Sequence, residues 1–188
     1  MNRLQMLKPA RLVDERGWLQ ESYKRRTAAS VGIDLEFVQD NHSLSSAIGT
    51  LRGIHFQVPP RTQAKLVRCI RGRMIDYAVD VRRGSPTYGR WTSAELSADN
   101  GFQLFIPVGY AHAFVTLEPQ CEVLYKMSDY YSPECDGGIR FDDPDIGIEW
   151  PFPSERLVLS PKDRMLPRLA EWESPFEYDG EPLPERLI

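Results

Sequence analysis

The chain has 188 residues, 41% hydrophobic and 27% charged, a globular balance that fits one domain over 1–188 better than two. Its 23 basic and 27 acidic residues leave a formal charge of -4, which argues against a nucleic-acid-coating surface. No run of about 18 apolar residues occurs, so no membrane span is expected.

Met1 to Ala10 carries Arg3 and Lys8 and lacks an apolar core run, unlike a signal peptide. Short apolar and β-branched runs then recur between Gly, Pro, Asp and Asn, and each reads as a strand: 18–23, 37–41, 51–57, 65–70, 74–81, 90–96, 103–106, 112–117 and 121–127. Only 24–30 offers a helical turn or two. The clearest hairpin is 65–81, turning near Arg71-Gly72-Arg73. Eight of the fifteen prolines lie from Pro144 onward, so 142–188 reads as a Pro-rich tail wrapping the rest, with short helical turns at most. The expected architecture is all-β, a jelly-roll sandwich or cupin-type barrel with short peripheral helices, enclosing a pocket lined from several strands. Cys69, Cys121 and Cys135 contain no CxxC pair and read as buried, reduced thiols of a cytoplasmic protein.

Chemistry is sought first at the three histidines, His42, His55 and His112. Alternation places Leu51, Gly53, His55 and Gln57 on one strand face, and puts His112 with Phe114 and Thr116. A lone histidine is often only a hydrogen-bonded structural group, but polar Gln57 shares the face of His55. Metal-binding cupin barrels use an HxH pair, a glutamate and a later histidine. Here Gln57 stands in the second position and Val58-Pro59-Pro60-Arg61 supplies no glutamate, so no metal is expected. Lys65 opens an apolar strand; facing inward it would steady an oxyanion, yet the pattern alone favours an exposed strand-end lysine. Tyr125 shares the inward face of Cys121, Val123 and Met127, either as core or as a proton-transfer group opposite a histidine.

The ordered runs Phe37-Val38-Gln39-Asp40-Asn41-His42-Ser43, Leu51-Arg52-Gly53-Ile54-His55-Phe56-Gln57 and Gln63-Ala64-Lys65-Leu66-Val67-Arg68 resemble the dTDP-4-dehydrorhamnose 3,5-epimerase family. Ile106-Pro107-Val108-Gly109-Tyr110-Ala111-His112, Leu124-Tyr125-Lys126 and Leu159-Ser160-Pro161-Lys162-Asp163 extend the likeness, which spans roughly Asp14 to Asp163. It implies a homodimer without cofactor or metal, acting on a dTDP-linked 4-keto-6-deoxy sugar on the way to dTDP-L-rhamnose.

By position, His55 matches the proton acceptor, Tyr125 the proton donor, Lys65 the cation beside the enolate and Asp163 the carboxylate orienting His55. Arg16, Glu21, Gln39, Asn41, Arg52, His112, Tyr131, Asp136 and Lys162 fall at substrate contacts. The segment of about 1–40, with Arg16 and Glu21, is implied to reach the partner protomer's site. Asp136, Phe141 and Ala113 depart from the family's usual glutamate, tryptophan and glycine. Arg52 poses a puzzle, because alternation sets it on the face opposite His55; either a bulge at Gly53 re-aims it or it serves another edge of the site. A single-carbon epimerase on another nucleotide sugar and a non-catalytic sugar-nucleotide-binding cupin are the rival readings.

Overall fold

The computed structural model describes residues 3–184 and 187. In chain order the strands are β1 (Gln5–Leu7), β2 (Arg11–Asp14), β3 (Gly17–Gln20), β4 (Gln39–Ser45), β5 (Leu51–Gln57) and β6 (Lys65–Arg71). They continue as β7 (Arg73–Asp80), β8 (Trp91–Ser97), β9 (Gln103–Ile106), β10 (Tyr110–Thr116), β11 (Cys121–Met127) and β12 (Asp136–Gly138). Helix α1 (Arg25–Ser30) follows β3, α2 (Pro161–Arg164) lies in the tail, and 3₁₀ turns cover Ser154–Arg156 and Leu169–Glu171. None of these helices is long and apolar enough to cross a membrane.

Two five-stranded antiparallel sheets result, ordered β1-β9-β6-β11-β4 and β12-β5-β10-β7-β8, with β2 and β3 as a separate hairpin. Their inner faces share one apolar layer. Val67, Leu104, Ile106 and Val123 enter it from the first sheet, and Met74, Ala78, Leu96 and Phe114 from the second. This is a jelly-roll sandwich of the cupin-like kind, as the many short strands predict.

The outer face of the second sheet is also covered. Residues after Phe141 lay Ile146, Leu157, Leu169 and Phe176 against Tyr77, Val79, Ala111, Ala113 and Val115. Each such side chain contributes roughly 1.5–3 kcal/mol when fully buried, so the tail helps hold the sandwich. It also explains why every residue of β10 is buried. On the first sheet, Ala28 of α1 and Ile33 cover Leu66 and Phe105.

One expectation is corrected. Lys65–Arg71 and Arg73–Asp80 do not form a hairpin, because β6 pairs with β9 and β11 while β7 pairs with β8 and β10. A single residue, Gly72 at φ +75°, joins them, too few for a two-residue hairpin turn. The chain instead steps there from one sheet to the other. Boundaries shift as well: the strand expected at 18–23 ends at Gln20, that at 37–41 runs Gln39–Ser45, and that at 112–117 begins at Tyr110. β1, β2 and β12 have three or four residues, too short for alternation to show.

Candidate active site

Between the sheets lies a cavity of about 480 Å³, within the usual range for small-ligand sites. Arg52 and His55 of β5 with His112 and Phe114 of β10 line it from the second sheet. Lys65 of β6 and Tyr125 of β11 line it from the first, and Lys162 and Asp163 of α2 complete it from the tail. The histidine and the tyrosine thus come from opposing sheets.

A bulge in β5 answers the Arg52 puzzle. His112 opposes His55 and Phe114 opposes Arg52, so Gly53 and Ile54 together face the single residue Ala113. The extra residue reverses the side-chain phase. Arg52 joins His55 at the cavity, while Ile54 turns to the outer layer. Straight alternation, which groups Gly53 with His55, is therefore wrong across this point. Gly53 has φ +136°, and a Cβ there would lie 2.4 Å from Cβ of Ala113, so only glycine fits.

His55 Nε2 lies 2.7 Å from Asp163 Oδ1. Asp163 is placed by α2, whose N-cap Ser160 accepts a hydrogen bond from the Asp163 N–H at 3.1 Å. Burial pushes the Asp163 carboxyl up, but hydrogen bonds from His55 and from backbone N–H of Gly53 hold it below its ordinary value. It is a carboxylate at neutral pH. A carboxylate on Nε2 fixes that nitrogen as the donor and leaves Nδ1 with the lone pair.

Lys65 faces inward, not outward as the strand pattern suggests. Burial draws its pKa down to about 8, against the attraction of Asp76 and Asp136. Among the described residues it makes no salt bridge, so a half-buried ammonium is left for the cavity.

His112 is buried, with Nε2 2.5 Å from Asp76 Oδ1. Sequence reasoning misses Asp76. The available signal is a carboxylate alternating with Met74 and Ala78 on an apolar strand.

The remaining expected residues are not all gathered here. Gln57 does not line the cavity. Its amide donates to the carbonyls of Arg61 at 2.6 Å and Tyr130 at 3.2 Å, and accepts from the Ser132 N–H at 2.9 Å, which fixes the loop before β12. Gln39 donates to Asn41 Oδ1 at 2.9 Å, and its Oε1 accepts the Tyr131 N–H at 2.9 Å. The Tyr131 hydroxyl donates to Asp136 Oδ2 at 3.0 Å, and the Lys162 ammonium pairs with the same oxygen. Gln39, Asn41, Tyr131 and Asp136 thus sit beside the cavity, linked to it through Lys162.

Arg16 and Glu21 stand apart. Arg16, at the tip of the β2–β3 hairpin, pairs with Asp14 at 2.6 Å. Glu21 pairs with Lys24 at 3.1 Å and lines a separate cavity of about 180 Å³ beside Tyr23. Exposed His42 bonds Glu122 at 2.9 Å, away from the site. Among the described residues no three His, Cys, Asp or Glu side chains converge as a metal centre would need.

Comparison with known proteins points to one family. The family model described as dTDP-4-dehydrorhamnose 3,5-epimerase matches residues 1–171. An enzyme of that name from Sinorhizobium fredii is 48% identical over 175 residues, covering 93% of this chain and 89% of the relative. Another from Salmonella typhimurium is 50% identical over 167 residues, covering 88% and 90%. The crystal structure of dTDP-6-deoxy-D-glucose-3,5-epimerase from Legionella pneumophila, in complex with dTDP-4-keto-L-rhamnose, superposes with a TM-score of 0.89 at 40% identity, covering 94% of each chain.

Proposed function

The chain belongs to the dTDP-4-dehydrorhamnose 3,5-epimerase family, and from that premise we propose that His55 and Tyr125 perform its proton transfers from opposite walls of the cavity. The enzyme is an isomerase of dTDP-rhamnose biosynthesis, converting dTDP-4-dehydro-6-deoxy-D-glucose to dTDP-4-dehydro-L-rhamnose by inversion at C3 and C5. The observation that carries the residue assignment is the convergence of His55, Tyr125 and Lys65 from two opposing sheets on one cavity.

A hydrogen on a carbon beside a ketone is acidic because its electrons can move onto the carbonyl oxygen. His55 Nδ1 takes the proton, and Asp163 stabilises the imidazolium that forms. The electron pair passes to the 4-keto oxygen, where the ammonium of Lys65 holds the enolate. As the enolate collapses, the Tyr125 phenol gives its proton to the opposite face of the carbon, and the configuration inverts. Tyr125 then regains a proton from solvent and His55 returns one, so nothing is consumed. Arg52 and Lys162 are suited to the diphosphate.

The reading includes a homodimer. In the β2–β3 hairpin the cross-strand pair Leu12 and Leu19 on one face and the pair Val13 and Trp18 on the other are 57–78% exposed, apolar surface that a second copy would cover. In such a dimer Arg16 and Glu21 serve the partner's cavity. The three free thiols are buried, in keeping with a cytoplasmic setting.

The test is incubation with dTDP-4-dehydro-6-deoxy-D-glucose in D₂O, followed by NMR. Deuterium at both C3 and C5 of an L-rhamno product is expected, unchanged by EDTA. Exchange at one carbon only would make this a single-carbon epimerase; none would make it a binding protein.

A further inference from the structure

Asp76 is fully buried on β7, and no step above uses it. Its Oδ1 is bonded to His112, while Oδ2 is a buried oxygen without a hydrogen-bond partner among the described residues. A carboxylate kept in an apolar layer with half its acceptor capacity idle is costly. Cationic and titratable groups surround it. His112 on β10 touches it, and Lys65 lies across the inner layer on β6. His55 on β5 and Tyr125 on β11 line the same cavity, and Asp136 on β12 is the second anion acting on Lys65.

Resting on the reading of this cavity as the epimerase site, we propose that Asp76 is a positioning residue. It holds the Nε2 proton of His112, so that this ring offers Nδ1 to the sugar as a hydrogen-bond acceptor, and it is the buried counter-charge to Lys65.

A neutral imidazole has one donor nitrogen and one acceptor. A carboxylate can only accept, so the proton sits on Nε2. Burial lowers the tendency of His112 to take a second proton; Asp76 opposes this, and Lys65 and His55 reinforce it. The ring is therefore neutral at neutral pH. The two histidines then divide the work. His55, partly open and backed by Asp163, moves protons; His112, buried and backed by Asp76, recognises a sugar hydroxyl. Lys65 is left as the partner of the enolate oxygen.

Two measurements test this. Long-range ¹H–¹⁵N NMR of the wild-type imidazoles at pH 7 should find His112 protonated at Nε2 and bare at Nδ1. The opposite tautomer, or a doubly protonated ring, overturns the acceptor role, and this result does not depend on any variant folding. In the second, Asp76→Asn places an amide against Nε2 and should cost about tenfold or more in kcat/KM. Because the positioning role acts through His112, at a pH well below the alkaline limb, where Lys65 keeps its proton, the Asp76→Asn/His112→Gln double variant should be no slower than His112→Gln alone, whereas additive losses there overturn that role. The alkaline limb of the pH profile should also move to lower pH in Asp76→Asn, as Lys65 loses a counter-charge; an unmoved limb removes that part. If the wild type exchanges no substrate hydrogen with D₂O, the epimerase reading fails while the tautomer result stands separately.

Discussion

Two carboxylates on the same face of β7, Asp76 and Asp80, share complete burial and little else. Asp80 accepts from Arg82 at 2.8–3.0 Å through backbone and guanidinium, from Ser85 at 2.6 Å and from Thr87 at 2.7 Å. Arg82 in turn reaches Asp179 at 2.7 Å and the Tyr110 hydroxyl at 2.5 Å, with its guanidinium over the rings of Tyr110 and Tyr178. Burial pushes the Asp80 carboxyl up, but these bonds hold it below its ordinary value. Four residues earlier, Asp76 has one bond, and Lys65 near it has no anionic partner in contact among the described residues. Where the protein answers every charge, the polar cluster is architecture, tying the tail to the sandwich. Where the answers are withheld, Lys65 faces the cavity and is free to meet a substrate, with Asp76 buried near it.

The sharpest contrast should come from Arg82→Ala. It strands Asp80 in the interior, and about 3–5 kcal/mol of stability should disappear in urea unfolding at pH 7, with kcat/KM of the folded protein nearly unchanged. A loss below about 1 kcal/mol would break the distinction. Lys65→Met should do the reverse. We expect kcat to fall about 10²–10³-fold, equivalent to about 2.7–4 kcal/mol of transition-state stabilisation, while Tm stays level or rises, because the burial cost of this ammonium outweighs its attraction to Asp76 and Asp136. A large drop in Tm would place Lys65 with the architecture.

Gly53→Ala tests how the bulge aims Arg52. The φ of +136° and the clash with Ala113 should cost about 1–3 kcal/mol and raise KM through Arg52. An unchanged KM would separate Arg52 from substrate binding.

The mildest effect is on pH. An unfolded chain keeps the Lys65 proton up to the ordinary value of 10.5, whereas the folded protein releases it near 8. Between these values the unfolded state binds more protons, so this group makes folding stability rise with pH across the window. Activity should fall as pH rises through about 8, because the enolate loses its cation. Lys65→Met should lack the stability rise, and urea titrations at several pH values would show it.

Much of this was legible in the residues. The nine expected strands exist: seven of them are runs of seven or eight residues, which have few other uses, and β3 and β9 have four each. The place of His55, Lys65, Tyr125 and Asp163 came from family likeness, since neither spacing nor periodicity joins residue 55 to residue 163. Strict alternation alone sets Arg52 on the wrong face; the one-residue bulge that brings it to the cavity leaves no mark except Gly53, and glycine has many causes. The crossing at Gly72 looked like a hairpin because both flanking strands are apolar on alternate positions, and pairing partners are a tertiary choice. Asp76 is not legible in the sequence, because a lone acid in a strand usually points to water.

The central claim is tested most directly by hydrogen exchange in His55→Ala. The variant is incubated with dTDP-4-dehydro-6-deoxy-D-glucose in D₂O, with binding followed by calorimetry and deuterium by NMR. We predict that the sugar nucleotide still binds and that no deuterium enters at C3 or C5. Incorporation at the wild-type rate would contradict the assignment of His55 as the base.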